Sequence, residues 1–143
     1  MHALARQRSG ADATINYRSQ SNWDEQVLSI THRAGVDLVA ETGGSGTFKR
    51  SINATKMGGA LSLIGMVDMT PSAVSPFELF SKNLHVHGIR VGDAESLSTL
   101  AEFCGKHQVK PVIDRVFEFK RAVAAYDHLK SGQHFGKVVI RIT

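Results

Sequence analysis

Cysteine is almost absent: Cys104 is the single thiol in 143 residues. One cysteine excludes an internal disulfide and a cysteine-based zinc site, and it fits a reducing cytoplasm. Aromatic residues make up 7% of the chain, too few for a base-stacking platform. No run of three basic residues occurs, although 17 Lys and Arg against 13 Asp and Glu give a net charge of +4. That excess reads as a mildly basic surface, and nucleic acid is not an expected partner. No apolar run approaches the roughly 18–20 residues of a membrane span, and residues 1–10 are too short and too polar for a signal peptide. No Gly-x-Gly-x-x-Gly is present. What remains is an apolar fraction of 42% with 21% charged residues, a globular composition in one domain's length of chain. At that size roughly 68–70% of the unfolded surface can be buried, so a real core is available.

The chain is organised around Val36–Met66. Two short apolar runs, Val36–Ala40 and Ala60–Ile64, each end near glycine, at Gly43-Gly44 and at Gly65. Between them Phe48, Ile52 and Met57 fall close to helical spacing. Strand, glycine turn, helix, glycine turn, strand is the order of a βαβ unit with parallel strands. Ligands of such sheets sit beyond the carboxyl ends of the strands, here Glu41–Gly44 and Gly65-Met66.

Before this unit, residues 2–8 read as the end of a helix, and Ala13–Tyr17 as a short strand. Ser21 or Asn22 would cap a helix with Asp24 and Glu25 in its first turn, with Trp23, Val27 and Ile30 inward and Gly35 as its stop. After the unit, Pro71 and Pro76 with Thr70, Ser72 and Ser75 mark a loop. Phe77–Lys82 reads as a short helix started by Pro76, and Leu84–Val91 as a strand. Asp93 would cap a helix with Leu97, Leu100, Ala101 and Cys104 inward. Val112–Phe119 and Lys137–Ile142 read as strands around a helix over Arg121–Lys130.

Few chemical motifs stand out. A Walker loop needs lysine directly after its last glycine, but Thr47 and Phe48 separate Gly46 from Lys49. Glycines 43, 44 and 46 therefore read first as a strand-to-helix turn. Among seven histidines, His85 and His87 share one strand face. Zinc would need one or two further ligands, and no spacing supplies them. Asp37 and Glu41 flank one strand without forming a carboxylate pair, and no Ser/His/Asp or Cys/His set is arguable.

Four stretches in order carry a family resemblance: Ser9–Arg18, Gly35–Gly44, Gly58–Gly65 and the closing Phe135–Ile140. They resemble the medium-chain dehydrogenase/reductase family, which includes zinc alcohol dehydrogenases and zinc-free quinone oxidoreductases. The family's N-terminal catalytic domain, and the first strand and Gly-rich turn of its nucleotide domain, have no counterpart here. The resemblance thus implies a C-terminal portion of such an enzyme. Residues 1–109 would be part of the nucleotide-binding domain, and residues 110–143 the segment returning to the catalytic domain. The fold expected is α/β: a partial Rossmann-like, doubly wound parallel sheet lacking its first strands, then a C-terminal β-α-β segment.

By the same resemblance the cofactor is NADP or NAD. Thr42 and Gly43 would line its nicotinamide-ribose side, Gly65 and Met66 a second strand end, and Gly88 and Ile89 a third. Tyr17 matches a tyrosine that contacts the 2′-phosphate of NADPH in similar quinone oxidoreductases, where a lysine stands at the position of His2. Zinc and the catalytic acid would lie outside this chain. The implied parent reaction is hydride transfer to or from a carbonyl, alcohol or activated double bond of a small substrate. The alternative is a non-enzymatic remnant acting as a folded dimerisation module. A homodimer is expected through the strand Leu84–Val91, which in the family pairs with its twin at a sheet edge. The strand Ala13–Tyr17, separated from its family neighbours, would move beside Val36–Ala40 or reach another chain.

Overall fold

A computed structural model describes residues 10–71 and 73–142. The helix end expected over residues 2–8, with His2, lies outside them. Ile15–Gly92 forms one compact unit, and the residues from Asp93 onward belong to a second.

In the first unit, helix α1 (Trp23–Ile30) precedes strand β1 (Val36–Glu41), helix α2 (Ser45–Ala54) and strand β2 (Thr55–Leu63). A short helix α3 (Pro76–Phe80) leads to strand β3 (His85–Gly88). The strands pair in the order β1-β2-β3, all parallel, each connection carrying a helix. This is the expected partial Rossmann-like sheet. Leu28, Ile52, Ala54 and Leu61 form its buried apolar centre, and full burial of a leucine such as Leu61 contributes about 1.5–3 kcal/mol.

Several local expectations are corrected. Residues 13–16 form no strand, and Tyr17 opens a turn. The Asn16 side chain accepts from Arg18 N–H at 3.1 Å, and its carbonyl accepts from the N–H of Ser19 and Gln20. Such an Asx turn bends the chain out of the extended conformation. The segment does not move beside β1, whose outer edge pairs with no strand among the described residues.

In α1 the buried residues are Asp24 and Leu28, while Ile30 is 52% exposed. Asn22 makes no side-chain cap bond. Asp24 crosses instead to α2, accepting from Arg50 and Asn53 at 2.8 Å each. Burial pushes the Asp24 pKa up, but the hydrogen bonds from Asn53 and Arg50 outweigh it and hold it below the ordinary value. The helix stops before Gly35 because His32 and Arg33 adopt left-handed backbone, φ 51° and 69°.

β2 begins at Thr55, not at Ala60. Its pairing with β1 slips between Val36 (opposite Thr55) and Leu38 (opposite Ala60), so Gly58 and Gly59 lie in a bulge within the strand. Met57 therefore leaves the helix core and is 71% exposed. β3 stops at Gly88, short of Val91, whose φ of 47° breaks the extended run.

In the second unit, helix α4 (Ala94–Lys106) is capped by Asp93, which accepts from Ser96 N–H at 2.8 Å. None of its residues is buried, and Leu97 and Leu100 are exposed rather than inward. Strands β4 (Ile113–Glu118) and β5 (Lys137–Arg141) pair in parallel across helix α5 (Ala122–Lys130), over Phe117 and Ala125. This is the expected β-α-β segment. Asp114 fastens it, accepting from Phe135 N–H at 3.0 Å and lying 2.7 Å from His128 Nε2.

Candidate functional site

The three carboxyl ends of the sheet lie level. Glu41 pairs with Leu63, and Leu63 with Gly88. Beyond them the chain ends are stitched together by backbone. Ile64 N–H donates to Glu41 O at 2.9 Å, Asp68 N–H to Gly43 O at 2.8 Å, and Ile89 N–H to Leu63 O at 2.9 Å. Gly65 permits this approach, because a Cβ there would stand 3.1 Å from the Thr42 carbonyl oxygen. Thr42, Gly43, Gly65, Met66, Gly88 and Ile89 thus occupy one rim, as strand topology requires.

At that rim the most constrained group is one the sequence reading passed over. Glu41 is 4% exposed. Its Oε1 accepts from Gly43 N–H at 2.7 Å, Gly44 N–H at 3.0 Å and Thr47 Oγ1 at 2.6 Å, and its Oε2 accepts from the Ser51 hydroxyl. Burial pushes its pKa up, but the bonds from Ser51, Thr47, Gly44 and Gly43 overcome that and hold it below the ordinary carboxylate value. A carboxylate at the start of α2 also meets the positive end of the helix dipole. The glycine turn therefore carries its own anion. At the opposite end of α2, Lys82 donates to the carbonyls of Ile52, Asn53 and Thr55, complementing the negative end.

A cleft of about 740 Å³ opens beside this turn, lined by Ile15, Tyr17, Trp23, Val39, Ala40, Thr42, Gly43, Arg50 and Asp68 among others. It brings Tyr17, Thr42 and Gly43 together; Gly65, Met66, Gly88 and Ile89 are not in its lining. Tyr17 is 59% exposed. Gly43 and Gly44 N–H are the natural phosphate donors at a strand-to-helix turn, and Glu41 occupies both. The turn thus leaves neither of these two N–H groups free for a phosphate.

Metal fits no better. Among the described residues no three His, Cys, Asp or Glu side chains converge. His85 and His87 are both exposed on β3, with no third donor. Nor is any helix among the described residues long and apolar enough to cross a membrane.

Known proteins resemble the chain along nearly its whole length. A family model described as zinc-binding dehydrogenase matches residues 9–140. The zinc-type alcohol dehydrogenase-like protein C1773.06c of Schizosaccharomyces pombe is 33% identical over 137 residues, which cover 93% of this chain and 40% of that protein. The quinone oxidoreductase-like protein 2 of Bos taurus is 25% identical, over 94% of this chain and 41% of its own length. Among solved structures, an NAD-dependent alcohol dehydrogenase superposes with a TM-score of 0.81 at 27% identity, covering 98% of this chain and 41% of the other. The chain spans about two fifths of the length of the relatives it matches.

Proposed function

Because the chain belongs to the zinc-binding dehydrogenases of the medium-chain dehydrogenase/reductase family, we propose that it forms part of the cofactor domain of an NAD(P)-dependent oxidoreductase. The cofactor supplies the hydride chemistry at C4 of its nicotinamide, acting on a carbonyl, alcohol or activated double bond of a small substrate. The observation that carries this reading is the level rim of three parallel strand ends, the place where open α/β sheets bind ligands. Thr42 and Gly43 form the nicotinamide-ribose side, with the backbone at Gly65-Met66 and Gly88-Ile89 along its length. Tyr17, by its match to the tyrosine of similar quinone oxidoreductases, would favour NADP over NAD through a contact to the 2′-phosphate. Residues 110–143 belong to the return toward a catalytic domain, and the catalytic acid and any zinc come from outside this chain. A reducing cytoplasm is the compartment proposed.

The test is a map of amide NMR shifts on adding millimolar NADPH or NADH. The rim residues Thr42, Gly43, Gly65, Met66, Gly88 and Ile89 are expected to shift, with Tyr17 responding more to NADPH. Shifts confined to other surfaces would remove the basis for the reading.

A second reading, a folded dimerisation module, is favoured by β3. Its outer edge has no strand partner among the described residues, and free edges invite pairing. A Cβ at Gly88 would meet nothing within 4 Å, so internal packing does not require glycine there. Close approach by a second copy's backbone would. We therefore expect a two-fold dimer through this edge, visible as a doubled mass in light scattering at high concentration; a monomer there would sink it.

A further inference from the structure

We propose that His85 and His87 of two copies of this chain together hold one divalent cation of the zinc type at the β3 edge, a site that neither copy completes alone. It rests on the two-fold dimer through β3. His85 and His87 are both exposed, and Val86 between them is half-buried. The ladder with β2 sets His85 beside Ala60 and His87 beside Ser62, and it sets Val86 beside the fully buried Leu61. Both imidazoles therefore stand on the open face of the sheet. The small side chains next to them leave room to lean toward the edge.

The backbone fixes what a second copy brings to that face. Ile89 N–H turns inward to Leu63 O at 2.9 Å. By the alternation along a strand, Val86 and Gly88 turn their N–H and C=O groups outward to the free edge. Pairing there with a second β3 about a two-fold axis is antiparallel, and the axis stands perpendicular to the sheet. Such an axis carries each face onto itself, so the histidines of both copies rise on one side. Directly opposed residues then share a face, which leaves two registers that pair three residues of His85–Gly88. Centred on Val86, the axis sets each His85 opposite the other copy's His87. Centred on His87, it sets that residue opposite its twin, with each His85 on the diagonal. Opposed Cβ atoms lie about 4.5–5.5 Å apart, and residues two apart along a strand roughly 6.7 Å. Three imidazoles thus share one small patch in either register. Zinc takes three or four such nitrogens at about 2.0–2.1 Å, and imidazole suits it. One copy supplies only two, which agrees with the lack of a three-ligand cluster among the described residues.

The experiment titrates the chelator-treated chain with Zn²⁺ alone and follows its mass by sedimentation equilibrium. One zinc bound per two chains is expected, with the dimer dissociation constant lowered at least about tenfold at saturating zinc. The double variant His85→Gln/His87→Gln changes two exposed side chains. It should keep the metal-free dimer and lose the zinc response. Zinc bound once per chain, a metal-free dimer that zinc does not tighten, or a double variant that still responds would each overturn the site and leave the dimer standing. A chain that stays monomeric with and without zinc removes dimer and site together.

Discussion

Replacing Glu41 by alanine should lower the stability of the Ile15–Gly92 unit by about 2–5 kcal/mol, because Gly43 and Gly44 lose the acceptor of their N–H groups and each unmet buried donor costs roughly 1–3 kcal/mol. Thr47 and Ser51 lose the same acceptor, although their hydroxyls can rotate; Thr47 already reaches Gly44 O at 3.2 Å. Glutamine keeps one carbonyl oxygen for the two amides and Thr47, and Ser51 can turn to accept from its NH₂. Glu41→Gln should therefore cost less, about 1–2 kcal/mol, mainly the charge assistance of the bonds. With a urea slope of about 2 kcal/mol per molar, the alanine variant shifts the midpoint by roughly 1–2.5 M. An alanine midpoint equal to the parent's would mean the network does not hold the turn.

The same carboxylate sets an acid dependence. Its folded pKa lies below the ordinary value of 4.5. The folded state therefore binds the proton less readily than the unfolded chain, and the stability is fully present above pH 4.5. It is lost as pH falls from there through the lower folded value. Glu41→Gln should remove this part of the acid sensitivity. Asp24, held below its ordinary value in the same sense, leaves a residual slope in that variant.

The second large effect concerns affinity. The chain by itself should bind NADPH only in the millimolar range or more weakly, and catalyse no hydride transfer. A Gly-rich turn at a helix start presents two or three N–H groups to a pyrophosphate. Hydrogen bonds to a charged group contribute roughly 1.5–3 kcal/mol each. Their absence removes about 3–9 kcal/mol, and each 1.4 kcal/mol is a factor of ten. The one strand-to-helix glycine turn in the first unit offers no substitute, since the Glu41 carboxylate holds Gly43 and Gly44 N–H and repels a phosphate. Fluorescence or calorimetric titration with NADPH decides this. Saturable binding in the low micromolar range, or NADPH oxidation with a quinone, would contradict it.

The central βαβ unit was legible because Val36–Ala40 and Ala60–Ile64 are apolar runs with glycine at their ends. Its inner boundary was not. Gly58 and Gly59 look like a turn, and Met57 completes a helical spacing, yet all three lie in β2. Periodicity cannot distinguish a glycine turn from a glycine bulge, since both need backbone freedom. The Asp93 cap was readable, but the burial of Leu97 and Leu100 was not. An amphipathic pattern says which side of α4 is apolar, not whether anything covers it.

The strand ends Glu41–Gly44 and Gly65-Met66 followed from topology, whereas Gly88 and Ile89 came only with the family resemblance. The Glu41 network escaped notice, although a signal existed. An acid ending a buried strand, two residues before a glycine pair, must find donors. Thr47 and Ser51, four residues apart, put two hydroxyls on the same face of the helix that follows.

Among the described residues the sheet has two open sides, at β1 and at β3, and their geometry decides how far assembly runs. Two copies joined β3 to β3 about a two-fold axis exhaust that contact and stop. A copy whose β3 adds to the β1 of the next leaves a fresh β1 and a fresh β3 at the ends, and nothing terminates the growth except concentration. Whatever seals β1 is thus a chain terminator, and it separates a finite particle from a filament.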